Sequence, residues 1–226
     1  MLSTSPFLAS LEAGRDATPP ITPFGGCGPD SGSSRTVGVP GNAGRALTTA
    51  ELRRSKLDRH AFRAHPRLPI RVVLDGVRQG YNVGALFRLC DAFLCERLVL
   101  CGRDASRGMR KLVQAAQGTQ HWVPWEQRDS AVEVVLAARA EGCQVVAVEQ
   151  TSDAVGLDRF LPRYPVCLVL GSERAGVSQA VLDLADAAVT IPMQGMANSL
   201  NVATAAAIVL HGLATACVDA GGSSAP

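Results

Sequence analysis

The chain has 226 residues, with Lys+Arg 22 against Asp+Glu 20, a net charge of +2 and 47% hydrophobic residues, enough apolar matter for a core without disulfide or metal staples. The charge balance excludes a histone-like or acidic solvating chain, and a mean hydropathy of +0.14 excludes a wholly disordered one. With only 4% aromatic residues, a platform of several exposed rings that stacks RNA bases is disfavoured.

Residues 1–46 are dominated by Ser, Thr, Pro and Gly, with Pro19, Pro20, Gly25, Gly26, Gly28 and Ser31 breaking any apolar period, and read as a disordered tail. Ser3, Thr4, Ser5 and Pro6 interrupt any signal-peptide core, and Arg15, Arg35 and Arg45 are balanced by Glu12, Asp16 and Asp30, unlike a transit peptide. Thr48 and Glu51 have the spacing of a capping box and predict a basic helix within residues 47–66, stopped by Pro66. From Glu51 to Arg71, Arg53, Arg54, Lys56, Arg59, Arg63, Arg67 and Arg71 face only Glu51 and Asp58. A solvated helix face and a contact with a polyanion both account for such a stripe.

Beyond Pro69, short runs rich in Val and Leu alternate with helical patterns. Strands are predicted at 70–75, 97–101, 144–148, 166–170 and 188–191, and helices at 83–94, 106–117, 130–141 and 178–185. The alternation predicts an α/β domain over 67–217, a parallel sheet with helices on both faces. Residues 200–217 resemble a membrane span and are apolar nearly all round through Leu210, but Asn201, Thr204, His211, Gly212 and Thr215 interrupt it, so a buried core helix is predicted and no membrane. Residues 218–226 read as a flexible C-terminus. Seven cysteines, at 27, 90, 95, 101, 143, 167 and 217, form no CxxC pair and imply a reducing, cytoplasmic setting. Cys90, Cys101, Cys143 and Cys167 read as small buried hydrophobes, and no metal site is expected.

No GxxxxGK[ST] loop exists, and no GxGxxG follows a strand and opens a helix. Three polar loops do follow strands: Asp75 to Arg88, Gly171 to Gly176, and Ile191 to Asn201. In parallel α/β sheets ligands bind beyond the carboxyl ends of the strands, so these loops are candidates to converge. Arg88 lies nearly opposite the apolar stripe Val83, Leu86, Phe87, Cys90, either solvated or aimed at phosphate or carboxylate. Glu173 would repel a phosphate from its glycine loop. Asn198 or Ser199 is a candidate cap for the last helix, and Asn201, in its first turn, needs polar partners.

Asn82-Val83-Gly84-Ala85-Leu86-Phe87-Arg88, then Leu170-Gly171-Ser172-Glu173-Arg174-Ala175-Gly176, then Ile191-Pro192-Met193 through Ser199-Leu200-Asn201-Val202-Ala203 resemble the three ordered motifs of the SpoU (TrmH-like) RNA ribose 2′-O-methyltransferases of the SPOUT superfamily. The resemblance covers about residues 68 to 213. It implies a deep trefoil knot over about 166–217, S-adenosylmethionine as cofactor at Gly171, Ile191, Met193 and Leu200, and a homodimer acting on structured tRNA or rRNA. Arg88 matches the residue that holds the target phosphate and activates the hydroxyl, with Asn82, Glu173, Ser199 and Asn201 as the supporting polar set. Because a guanidinium is not deprotonated, Arg88 reads chiefly as an electrostatic positioner. Arg53, Arg54, Lys56 and Arg59 become the candidate accessory RNA contacts. A knot-fold RNA-binding module without turnover and an RNA base methyltransferase are the alternatives. Ala203 stands where many family members have Ser.

Overall fold

A computed structural model describes residues 44–54, 56, 58, 62, 65–102 and 109–219. The expectations for most of the 1–46 tail, for Arg59 and for 220–226 lie outside the described residues. In chain order the elements are α1 (Thr49–Arg54), β1 (Leu68–Asp75), α2 (Gly80–Ala92), β2 (Cys95–Cys101), α3 (Met109–Ala116), a single 3-10 turn (Thr119–His121), β3 (Trp125–Arg128), α4 (Ala131–Ala140), β4 (Gln144–Val148), β5 (Val155–Gly156), β6 (Val166–Gly171), α5 (Gln179–Leu182), β7 (Ala187–Thr190) and α6 (Val202–Asp219).

Seven parallel strands form one sheet in the order β3-β2-β1-β6-β4-β7-β5. Period-two alternation splits its side chains between two cores. On one face Ile70, Val72, Leu74, Leu168 and Leu170 pack against Val83, Leu86 and Phe87 of α2 and Val209, Leu210 and Leu213 of α6. On the other, Val73, Val145, Cys167 and Val169 pack against Ala131 and Val135 of α4 and Val181 of α5. Both faces are thus covered, which is why β6 is buried along its whole length and reads as a continuous apolar run. Each such Val or Leu contributes about 1.5–3 kcal/mol by leaving water.

All five predicted strands are present. The two extra ones lie at the sheet edges, where one neighbour suffices: β3 is the polar Trp125-Glu126-Gln127-Arg128, and β5 has two residues. Neither carries an apolar signal. The predicted helix at 178–185 shrinks to the four residues of α5.

The last helix departs from expectation most. Only Ala206, Val209, Leu210, Leu213 and Cys217 of α6 are buried, 28% of a helix that is long and apolar enough to cross a membrane. Thr204, Ile208, His211, Thr215 and Val218 form an exposed stripe on its far side, with Ile208 at 39% and Val218 at 46% exposure. An apolar composition all round does not bury a helix when the sheet offers it only one side.

Candidate functional site

The carboxyl ends of β1, β6, β4 and β7 lie side by side, so the loops after them emerge on one edge. There they enclose a cleft of about 540 Å³. Its walls are Val148, Glu149 and Gln150 after β4, Gly171, Ser172, Glu173 and Gly176 after β6, Thr190, Ile191 and Met193 after β7, and Ser199, Leu200 and Asn201 ahead of α6.

The 171–176 loop folds back on itself: Ser172 N donates to Gly176 O at 3.0 Å and Gly176 N to Ser172 O at 2.9 Å. Two glycines make this closure possible. Gly176 has φ +66°, and a Cβ on Gly171 would lie 2.0 Å from Gly176 C. Carboxylates from the two neighbouring strands pin the exit. Val177 N donates to Glu149 Oε2 at 2.9 Å, and Ser178 N donates to Asp75 Oδ2 at 2.8 Å.

A chain of side-chain amides ties the three loops together. Ala203 N donates to Asn201 Oδ1 at 2.9 Å, Asn201 Nδ2 donates to Asn82 Oδ1 at 3.1 Å, and Asn82 Nδ2 donates to Glu173 Oε1 at 2.5 Å. The order is forced from one end. A backbone N–H can only donate, so Asn201 must present its oxygen to Ala203 and its NH₂ to Asn82. Asn82 must then present its own NH₂ to Glu173, which accepts as a carboxylate. Asn82 is only 3% exposed, and these two bonds satisfy its amide. Asn201, not Asn198 or Ser199, caps α6. Ser199 stays on the cleft wall, and the Asn198 carbonyl accepts from Gln150 Nε2.

Of the residues singled out from sequence, Gly171, Ile191, Met193 and Leu200 line the cleft together, and Asn82, Glu173, Ser199 and Asn201 meet at its edge. Arg88 stands apart. It lies on the outer face of α2, exposed, off the cleft wall and without a hydrogen bond or ion pair among the described residues. Arg53, Arg54 and Lys56 lie at α1 and just after it. Sequence reasoning passed over Gln79, Glu149 and Gln150; the one signal for the last two was their position directly after a buried strand.

The cleft's chemistry is selective. Among the described residues, its wall carries two carboxylates, Glu149 and Glu173, and no Lys, Arg or His. Ile191, Met193 and Leu200 supply an apolar floor suited to a purine ring, and the loop backbones supply donors and acceptors. This lining fits S-adenosylmethionine, whose sulfonium and ammonium groups are cationic, better than a phosphate-bearing nucleotide.

Comparison with known proteins agrees with the geometry. The chain is 33% identical over 140 residues to the tRNA (guanosine(18)-2′-O)-methyltransferase of Escherichia coli K12, covering 62% of this chain and 60% of that protein. The chain thus spans about three fifths of that relative's length. Among solved structures it matches the Aquifex aeolicus TrmH/SpoU tRNA modifying enzyme at 30% identity and TM-score 0.66, over 73% of this chain and 84% of that one. The Streptomyces viridochromogenes SpoU methyltransferase AviRb, solved with AdoMet, matches at 31% identity and TM-score 0.61, over 69% and 61%. The model of the SpoU rRNA Methylase family matches residues 69–211, from the start of β1 well into α6, and the chain belongs to that family.

Proposed function

We propose that the protein transfers a methyl group from S-adenosylmethionine to a ribose 2′-hydroxyl in structured tRNA or rRNA. The observation that carries this reading is the cation-free cleft with two carboxylates, joined through Asn201 and Asn82 to the loop that bears Glu173. When bound, the cofactor supplies an electrophilic methyl on a cationic sulfur. The chain must then hold the hydroxyl in line with it, favour loss of the hydroxyl proton and exclude competing water.

Gly171, Ile191, Met193 and Leu200 hold the cofactor. Glu173, fixed by Asn82, offers negative potential toward the sulfonium side, and Ser199 and Asn201 orient the ribose. Arg88 holds the target phosphate from the outer face of α2 and through it activates the hydroxyl, whose proton passes to a free oxygen of that phosphate. Arg53, Arg54, Lys56 and Arg59 add phosphate contacts.

Three further features complete the proposal. Residues 166–217 form a deep trefoil knot, a reading supported by β6 lying between β1 and β4 while α6 returns to pack on α2. Two copies pair through the exposed stripe of α6, since Ile208 and Val218 are otherwise left in water. The six described cysteines are buried free thiols, in keeping with a reducing cytoplasm.

The test is transfer of labelled methyl to undermodified tRNA and rRNA, followed by digestion to nucleosides and removal of the base. Label that stays with the ribose is the expected result. Label that leaves with the base would identify a base methyltransferase, and RNA binding with no transfer would identify an RNA-binding module.

A further inference from the structure

We infer that Tyr81 stacks on a nucleobase beside the target nucleotide and so holds the RNA strand in register with Arg88; the inference rests on the RNA reading above. Among the described large hydrophobic side chains that stand exposed, Tyr81 and Trp125 are the only aromatic ones. Trp125 is committed within the fold. Its ring meets Phe87 edge-on at 5.6 Å, and its Nε1 donates to Gln120 O at 3.2 Å. Tyr81 is 68% exposed, and neither its ring nor its hydroxyl has a partner among the described residues. Nothing in the packing of α2 requires an aromatic residue there, because the buried stripe of that helix is Val83, Leu86, Phe87 and Cys90.

Its position is informative. Tyr81 sits in the first turn of α2, next to Asn82, whose amide joins Glu173 to Asn201 at the cleft edge. Arg88 follows Tyr81 by seven positions, close to two full helical turns, so both lie on one face about 10 Å apart along the axis. Arg78, exposed and also unpartnered among the described residues, stands just ahead of the helix. A cation ahead of the ring in the chain and another beyond it on the same helix face suit a strand whose phosphates flank the stacked base. Stacking on one ring tolerates any base, so the expected contribution is to position rather than to sequence readout. A single ring suffices for this, consistent with a chain poor in aromatics.

The test uses the full chain with Tyr81→Ala, Tyr81→Phe and Tyr81→Trp, on whichever of undermodified tRNA or rRNA fragments the wild type methylates. Tyr81→Ala should raise KM for RNA about tenfold, with S-adenosylmethionine affinity and sedimentation unchanged, and Tyr81→Phe should restore KM to within about twofold because the π-face remains. In Tyr81→Trp the added indole fluorescence should fall on titration with the same RNA, above the change seen in wild type. An unchanged KM in Tyr81→Ala would overturn the inference. So would a Phe variant as impaired as Ala, or a loss accompanied by altered sedimentation, which would assign the ring to a protein interface. Absence of methyl transfer by wild type to any RNA would overturn the functional reading instead. The fluorescence titration with undermodified tRNA then decides on Tyr81 alone, and no quenching would overturn it.

Discussion

Asn201 shows how one side chain serves two levels of the structure, since its oxygen caps α6 while its NH₂ begins the donor chain that ends on Glu173. Arg88 differs, because the fold leaves it in water with no local duty. We expect Arg88→Ala to lower methyl-transfer turnover by on the order of a hundredfold, about 2.7 kcal/mol, with cofactor affinity unchanged in an equilibrium titration; full activity would remove it from the mechanism. The buried thiols carry a pH signature. Burial pushes Cys101 and Cys167 from 9.0 up to about 12, so the folded chain retains protons that the unfolded chain releases. Their contribution to stability is complete below pH 9.0 and is lost as pH rises toward about 12. The thermal midpoint should therefore fall with pH in that window, and replacing both with Ala should flatten the fall; an equally steep profile in the double variant would contradict this. Asn201 was legible from the sequence as an amide in need of partners and Glu173 as a carboxylate in a glycine loop, whereas Asn82 was marked only by the motif resemblance. The direction of each hydrogen bond was not legible, because it depends on which amide atom faces a backbone N–H from another loop.

At the level of elements, Gly84 is instructive because it lies in the first loop's motif yet its open side faces α3 and not the cleft. A Cβ there would approach Leu112 O at 2.5 Å and Ala116 N at 2.8 Å, so its role is to let α3 cross α2 closely. Gly84→Ala should destabilise the protein by about 1–3 kcal/mol through overpacking, read as a lower denaturation midpoint with cofactor affinity per folded molecule retained. An unshifted midpoint would show that α3 moves away at no cost. The exposed face of α6 makes a second case. If two copies pair through this face as proposed, Ile208→Glu with Val218→Glu should convert the dimer to a monomer in sedimentation while the monomer still folds, because both side chains are exposed in the single chain. A variant that sediments as wild type would exclude this face as the interface. Strands β1, β2, β4, β6 and β7 were readable because buried parallel strands are continuous apolar runs. Edge strands β3 and β5 carry no such signal, and the one-sided burial of α6 depends on what the sheet leaves uncovered.

For the whole molecule, the decisive feature is topological: the loop after β1, which ends at Asp75, meets the loops after β6 and β7, which end at Gly171 and Thr190, on one edge because β6 inserts between β1 and β4. The ordered motifs revealed that these loops belong together. Strand order, and hence the walls contributed by Glu149 and Gln150 after β4, could not be read from periodicity, which reports which residues are buried but not which strands are neighbours. The same limit applies to Arg88, whose distance from the cleft follows from the helical phase of α2 against the sheet. The central claim is that the three loops form one methyl-transfer site acting as a unit. The measurement that tests it most directly is the single-turnover rate of methyl transfer in a double-mutant cycle of Asn82→Ala and Asn201→Ala, with cofactor saturating. If the amide chain works as a unit, the double variant should be no slower than the worse single variant, a strongly non-additive cycle. Losses that multiply independently would mean that the two asparagines act separately and that the loops do not form one coupled site.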